Sequence, residues 1–395
     1  MDNIADVFSS DKILEKEKLS LVAHFKQKKT AFLQFILGAI ALGLVLYGVA
    51  WLSRNPEYHF WKDREPASID VIKDTMMVYN KKHELLWTHK EAFEFRPFPG
   101  KEWIFEDLDG NGDKELICAI NRRDSEISTS WVACYSKRGK KLWEYFPGQR
   151  IRTDSREYSD KYLARPVDIV DIGQKRRKGL LVGASHSPWH PYKLALLNSE
   201  GKPLGEYWNA GHLYHPSTIQ ADLDGDGVKE VIIGGQNNGF DKACLVVLDP
   251  RHFEGTSPQE GVSRGYRFLD LPPGKEKYYL LFPQSILCAL FETRNFVREI
   301  HLLENEKKLE VIVQEYADVI AGGKDYLLHY VLDYQMRVLE CIPQDYYLSK
   351  LKELKTLKII SDVTREDIDR YKNQVLYWDG RRWTGKPAMN EFWAK

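Results

Sequence analysis

"ADLDGDGVKEVIIGG", residues 221 to 235, sets acidic side chains at every second position and then turns apolar. Counting from Asp222, oxygen donors fall at positions 1 (Asp222), 3 (Asp224) and 5 (Asp226), with the Val228 carbonyl at 7 and Glu230 at 9. Gly227 stands at position 6, where a calcium loop must turn sharply around its ion. A helix-flanked calcium hand would also need a bidentate Glu at position 12, and that position is Ile233. The flanks are short, β-branched and bounded by glycine, which spells strand, loop, strand. The loop is therefore calcium-like without the helices.

The stretch has a twin. "FEDLDGNGDKELICAI", residues 105 to 120, repeats it position by position with Asp107, Asp109, Asn111, the Asp113 carbonyl and Glu115. A third copy, "IVDIGQKRRKGLLVGAS", keeps Asp171 and the following strand, and a fourth, "HLLENEKKLEVIVQ", keeps Glu310. Two copies are metal-competent and two keep only the strands. Each copy is followed by an apolar strand, a turn and a second strand, as in "WVACYSKRGKKLWEY" (131 to 145) and "YKLALLNSEGKPLGEY" (192 to 207). Further hairpins are expected at 76 to 89, 243 to 253, 328 to 342 and 374 to 385. Four antiparallel strands per unit, radially repeated, make an all-β fold of the β-propeller type. Six hairpins suggest six blades, with five or seven open; residues 254 to 298 hold an insertion, and the strands at 76 to 89 would complete a blade begun by the C-terminus.

The Asp-x-Asp-Gly-(Asp/Asn)-Gly-x-x-Glu loop followed by a strand resembles the FG-GAP/VCBS-type repeat, whose relatives form the propeller of integrin α subunits. The resemblance covers about residues 65 to 390. It implies a structural Ca²⁺ in each of the two complete loops, held by Asp107, Asp109, Asn111, Asp113 and Glu115, and by Asp222, Asp224, Asp226, Val228 and Glu230.

The chain has 395 residues, with 57 basic and 57 acidic side chains and 43% hydrophobic residues. That balance gives no electrostatic case for nucleic acid. One segment departs from a globular composition: residues 31 to 52, "AFLQFILGAIALGLVLYGVAWL", carry no charge and are long enough to cross a bilayer. Its length, and the 30 residues before it, favour an uncleaved anchor over a signal peptide. Lys16, Lys18, Lys26, Lys28 and Lys29 precede it, against Arg54, Lys62 and Arg64 after it, which favours a cytoplasmic N-terminus. The expected organisation is a cytoplasmic tail (1–30), a transmembrane helix (31–52), a juxtamembrane linker (53–64) and a periplasmic or extracellular propeller (65–395). The five cysteines sit in apolar, strand-like runs without metal-ligand spacing and suggest buried thiols; Cys118 and Cys134 could also face each other across a hairpin.

Strand parity places the acidic loops on one face and the 2–3 and 4–1 connections on the other. "SHSPWHPY" (185 to 192) and "NAGHLYHP" (209 to 216) bring His186, Trp189, His190, Tyr192, His212, Tyr214 and His215 to that second rim. Such a cluster either packs loops over the sheets or binds a ligand. No nucleophile elbow, phosphate loop or dinucleotide fingerprint occurs. The leading expectation is a membrane-tethered binding or assembly module of the cell envelope, its partner another envelope protein or a glycan. A polysaccharide-acting hydrolase or lyase using the rim is the alternative, and a transmembrane signalling component is a third.

Overall fold

The structure is a computed structural model. It describes residues 33–51, 64–95, 103–122, 129–173, 177–186, 190–318 and 324–394 together with residues 18, 20, 28 and 29, with only the backbone at 214–216, 316–318 and 324. The chain divides into two compact units, Met1–Asp63 and Arg64–Lys395. In the first, Leu33–Trp51 is one uncharged, strongly apolar helix of 19 residues. At 1.5 Å per residue it spans roughly 28 Å, close to a bilayer's hydrocarbon core. Length and composition fit a membrane anchor and an export signal alike.

The second unit is mostly β. Its first sheet has three strands, Pro66–Ile72, Thr75–Asn80 and Leu85–Lys90. The second is a four-stranded meander of Trp103–Glu106, Glu115–Asn121, Ser130–Tyr135 and Lys141–Tyr145. The third runs Tyr162–Asp171, Lys178–His186, Tyr192–Leu197 and Pro203–Asn209. Leu213–Ala221, Glu230–Asn237, Lys242–Leu248 and Tyr278–Leu281 form the fourth. Phe296–Leu303, Lys308–Asp318, Lys324–Asp333 and Val338–Pro343 form the fifth.

The second strands look uniformly apolar because their sheets are covered on both faces. Alternation persists inside them as a choice of neighbour. Leu116 packs toward the first sheet with Met76 and Val78, whereas Ile117 packs toward the third with Leu180 and Val182. Leu181 turns the other way, joining Val231 and Val246 of the fourth sheet, and Ile232 next to Val231 joins Val311 and Leu328 of the fifth. Period-2 side-chain direction thus converts a run of hydrophobic residues into a stack of five sheets with four apolar interfaces. Among the described residues, no apolar cluster joins the fifth sheet to the first.

A second contact ties successive sheets. Trp87, on the last strand of the first sheet, donates its indole N–H to the Lys137 carbonyl in the 3–4 turn of the second, 3.1 Å away. Trp143, on the last strand of the second sheet, does the same to Ser199 in the third, at 2.8 Å. Each indole lies against a turn glycine of positive φ, Gly139 (81°) and Gly201 (75°). A Cβ there would meet Trp87 at 2.6 Å and Trp143 at 2.5 Å.

Several sequence expectations change. Residues 243 to 253 do not close a hairpin; after Lys242–Leu248 the chain enters an insertion, and Tyr278–Leu281 supplies the fourth strand. Glu254–Thr256 within the insertion runs parallel to Pro203–Asn209 of the third sheet. The C-terminal hairpin, Leu376–Trp378 and Trp383–Thr384, extends the fourth sheet beside Tyr278–Leu281 instead of completing the sheet that holds 76 to 89. All five cysteines are free and buried. Cys118 faces the first sheet and Cys134 the third, so they do not pair across the hairpin. Helix Asp345–Thr356 follows the fifth sheet and buries Tyr347, Leu351 and Leu354, spaced for one face, in its apolar cluster.

Candidate metal loops and histidine rim

Both acidic loops join first to second strands, and both fold by the same internal hydrogen bonds. Asp107 accepts from the Gly110 and Gly112 amides at 2.8 and 3.0 Å, and Asp222 from Gly225 and Gly227 at the same distances. The amides of Asn111 and Asp226 donate to Asp109 and Asp224 at 3.0 and 3.2 Å. At the end of each loop a buried glutamate reaches back: Glu115 accepts from the Leu108 amide and Glu230 from the Leu223 amide, both at 2.9 Å. The alternating acids of the sequence therefore converge because each carboxylate caps the amides of its own turn.

The loops differ in the charges that meet them. Asp107, Asp109 and Glu115 bring one carboxylate oxygen each within 4.8 Å of one another. Glu115 is 3% exposed. Burial first, then the neighbouring Asp109 and Asp107, push its carboxyl above the usual range. A buried carboxylate facing two others without a counter-charge is the environment that a divalent cation relieves, and the donor set is all oxygen, as Ca²⁺ requires. Nearby lysines serve other groups: Lys137 pairs with Asp113 and Glu65, at 2.9 and 2.7 Å, and Lys178 with Glu106 and the Asp107 carbonyl. Asn111 turns its side-chain amide to Asp109, so its oxygen is the end left to act as a donor; it now accepts from the Asp113 amide.

In the other loop, Asp222, Asp224 and Asp226 form the acidic trio. Lys277 reaches Asp224 and Glu230, at 2.6 and 2.5 Å, and Arg251 reaches Asp226 at 2.6 Å. The Val228 side chain is buried and packs toward Gly173. Neither cation was legible in the sequence, because Arg251 and Lys277 come from the two ends of the insertion.

The strand Lys178–His186 separates the loops from the histidines. It is nine residues long, so at ~3.3 Å per residue its ends are about 26 Å apart. Lys178 touches the first acidic loop, and His186 ends at the rim. There His186 shares a 3.0 Å hydrogen bond with Ser159 through Nε2 and meets Tyr158 and Tyr162 edge-on, with centroids 5.2 and 5.3 Å away. His190 packs on Tyr158 and Tyr266 at 5.6 and 5.1 Å. Burial holds both imidazoles below their ordinary pKa, with Arg156 adding to the effect at His190. Four buried atoms in this cluster, His186 Nδ1, His190 Nε2 and the Tyr158 and Tyr162 hydroxyls, have no hydrogen-bond partner among the described residues. Tyr158, Tyr162 and Tyr266 were not singled out in the sequence; they come from the 4–1 connection, its following strand and the insertion.

The remaining rim residues do not join that cluster. His212 stacks edge-on against Tyr192 at 5.0 Å, and Tyr192 is itself a core residue of the interface between the third and fourth sheets. Trp189 lies outside the described residues, and the side chains of Tyr214 and His215 do as well.

No family model and no curated protein matches the chain. Among solved structures it is similar to the C-terminal domain of PilY1 from Pseudomonas aeruginosa, with a TM-score of 0.39, 12% identity, and coverage of 67% of this chain and 57% of that one. It is also similar to the rhamnogalacturonan lyase YesW, with a TM-score of 0.31, 12% identity, and coverage of 71% and 53%. The chain thus spans little more than half the length of either.

Proposed function

We propose that this chain is a membrane-anchored β-propeller of FG-GAP/VCBS type, with residues 53–395 outside the cytoplasm, that captures another envelope protein or a glycan on its histidine rim. The supporting observation is the cluster of four buried, unpartnered polar atoms around His186 and His190. Buried polar groups without partners cost free energy, and hydrogen bonds made to a ligand when the rim loops part would offset that cost. The successive four-stranded sheets, latched Trp to turn, support radial repetition. With the C-terminal hairpin taken into the fourth sheet, five blades is the reading for the ring. A divalent cation, Ca²⁺ by donor type, braces the first acidic loop through Asp107, Asp109, Glu115 and the oxygens of Asn111 and Asp113.

The test is capture from envelope extracts by the full chain in detergent, with His190→Ala and Asp109→Asn variants whose circular dichroism matches wild type. The rim reading expects His190→Ala to lose a specific protein or glycan that Asp109→Asn keeps. Equal retention by both would remove the rim from the function. For topology, protease added to intact spheroplasts should digest the large domain, and full protection would reverse the orientation.

A further inference from the structure

The family resemblance expects both acidic loops to hold an ion, but the second is already filled. We propose that Lys277 closes the 222–230 loop in place of a metal ion, so that the chain takes one divalent cation, at 107–115, instead of two. The proposal rests on the cation reading of the first loop only for the comparison between them.

The Lys277 nitrogen lies 2.6 Å from Asp224 and 2.5 Å from Glu230, the third- and ninth-position acids of the loop. Ca²⁺ binds oxygen at about 2.3–2.6 Å. The ammonium therefore stands where an ion bridging those two carboxylates would stand. A second cation placed there would be repelled by the first and would compete with it for the same oxygens.

Lys277 is also held in place. It is 3% exposed, its ammonium lies over the Trp393 ring at 5.4 Å, and its backbone is tied at both ends. Its N–H donates to the Val247 carbonyl at 2.7 Å, and its own carbonyl accepts from the Asn390 amide at 3.1 Å. Swinging out to admit an ion would leave a buried glutamate behind. Arg251 adds a second fixed charge on Asp226, the fifth-position acid.

The difference between the loops has a topological origin. In the second sheet, strands three and four are joined by the short turn at 136–140, and its Lys137 reaches Asp113 and Glu65 without touching Asp107, Asp109 or Glu115. In the fourth sheet the same connection is the insertion between Leu248 and Tyr278. It opens with Arg251, closes with Lys277, and returns both cations to the acidic face. The insertion thus carries the counter-charge that the first loop lacks.

The experiment counts Ca²⁺ bound per full chain in detergent by calorimetric titration, with melting midpoints recorded in Ca²⁺ and in EDTA. Wild type should bind one ion, Asp109→Asn none, Asp224→Asn one, and Lys277→Met two. Asp224→Asn should lower the midpoint equally in Ca²⁺ and EDTA, because it removes a partner of Lys277 and not an ion. Asp109→Asn should lower it only in Ca²⁺. Two ions in wild type, falling to one in Asp224→Asn, would overturn the proposal while leaving the first-loop reading intact. No ion in wild type would instead overturn the first-loop reading, and Lys277→Met would then decide this one: a gained ion supports it, none overturns it. Should Lys277→Met fail to fold, the Asp224→Asn midpoints decide, with a loss seen only in Ca²⁺ overturning the proposal.

Discussion

Trp87 rests against Gly139 of the neighbouring sheet while its indole N–H is bonded to Lys137 two residues earlier in the same turn. Gly139 has a φ of 81° and leaves 2.6 Å between a hypothetical Cβ and the Trp87 ring. A side chain there meets two penalties at once, left-handed backbone strain and a clash with a ring fixed by its own hydrogen bond. Gly139→Ala should therefore destabilise the unit by about 2–4 kcal/mol, read as a lower midpoint in urea. Leu142→Ala, at an exposed position on the next strand, serves as the control and should stay within about 0.5 kcal/mol. Equal midpoints for Gly139→Ala and wild type would mean that the latch does not hold the sheets.

Calcium should stabilise the protein by the amount expected for one site. Extracellular calcium modules bind at roughly 10⁻⁴ to 10⁻³ M. With a Kd of ~0.1 mM and ~1 mM Ca²⁺, binding to the folded state adds about 1.4 kcal/mol. Glu115→Gln should abolish that increment, and a melting curve indifferent to chelator would show that Asp107, Asp109 and Glu115 are a solvated turn.

Stability should depend on pH through two buried groups with opposite signs. Burial holds the Glu276 carboxyl up at about 8 from an ordinary 4.5. The unfolded chain releases that proton first, so stability is fully present below pH 4.5, falls as pH rises to about 8, and is flat beyond. Burial, with Arg165 nearby, holds His212 down at about 4 from 6.5. Its contribution is present above pH 6.5 and lost as pH falls toward 4. Between pH 6.5 and 8 only the Glu276 slope remains of the two. Glu276→Gln should flatten urea-derived stability across that window, and an unchanged slope would place the titrating group elsewhere.

Much of this fold is legible in the sequence, for a local reason. The acidic loop, the turn glycine and the alternating strand lie within one hairpin, so a repeat such as Asp222–Glu230 announces both its strands. What did not show were contacts between distant segments. Lys277 meets Glu230 across 47 residues, and Tyr377 pairs with Leu280 across the whole fifth sheet. Neither has a periodic trace, because an insertion carries its partners to a site set by the strands around it. The rim was half legible for the same reason: His186 and His190 share one loop, whereas Tyr266, which completes their cluster, arrives with the insertion.

The final prediction concerns the separation of the two faces along the strand Lys178–His186. If the rim captures a ligand, its affinity should depend on His190, Tyr158 and the neighbouring Trp189 of the sequence, while substitutions in the acidic loops act through stability alone. A binding hot spot costs more than about 2 kcal/mol of affinity when truncated. Asp224→Ala should cost folding energy, because it removes a partner of the buried Lys277. The strand holds its first-loop end, where Lys178 meets Asp107, and its rim end, at His186, some 26 Å apart, beyond the distance at which mutational effects usually couple. The double variant His190→Ala/Asp109→Asn should therefore lose the sum of the single stability losses and the affinity of His190→Ala alone, measured by denaturation and by binding to the captured partner. Should folded Trp189→Ala and His190→Ala keep every partner while folded Asp224→Ala loses them, the acidic face is the contact surface and the rim histidines pack loops.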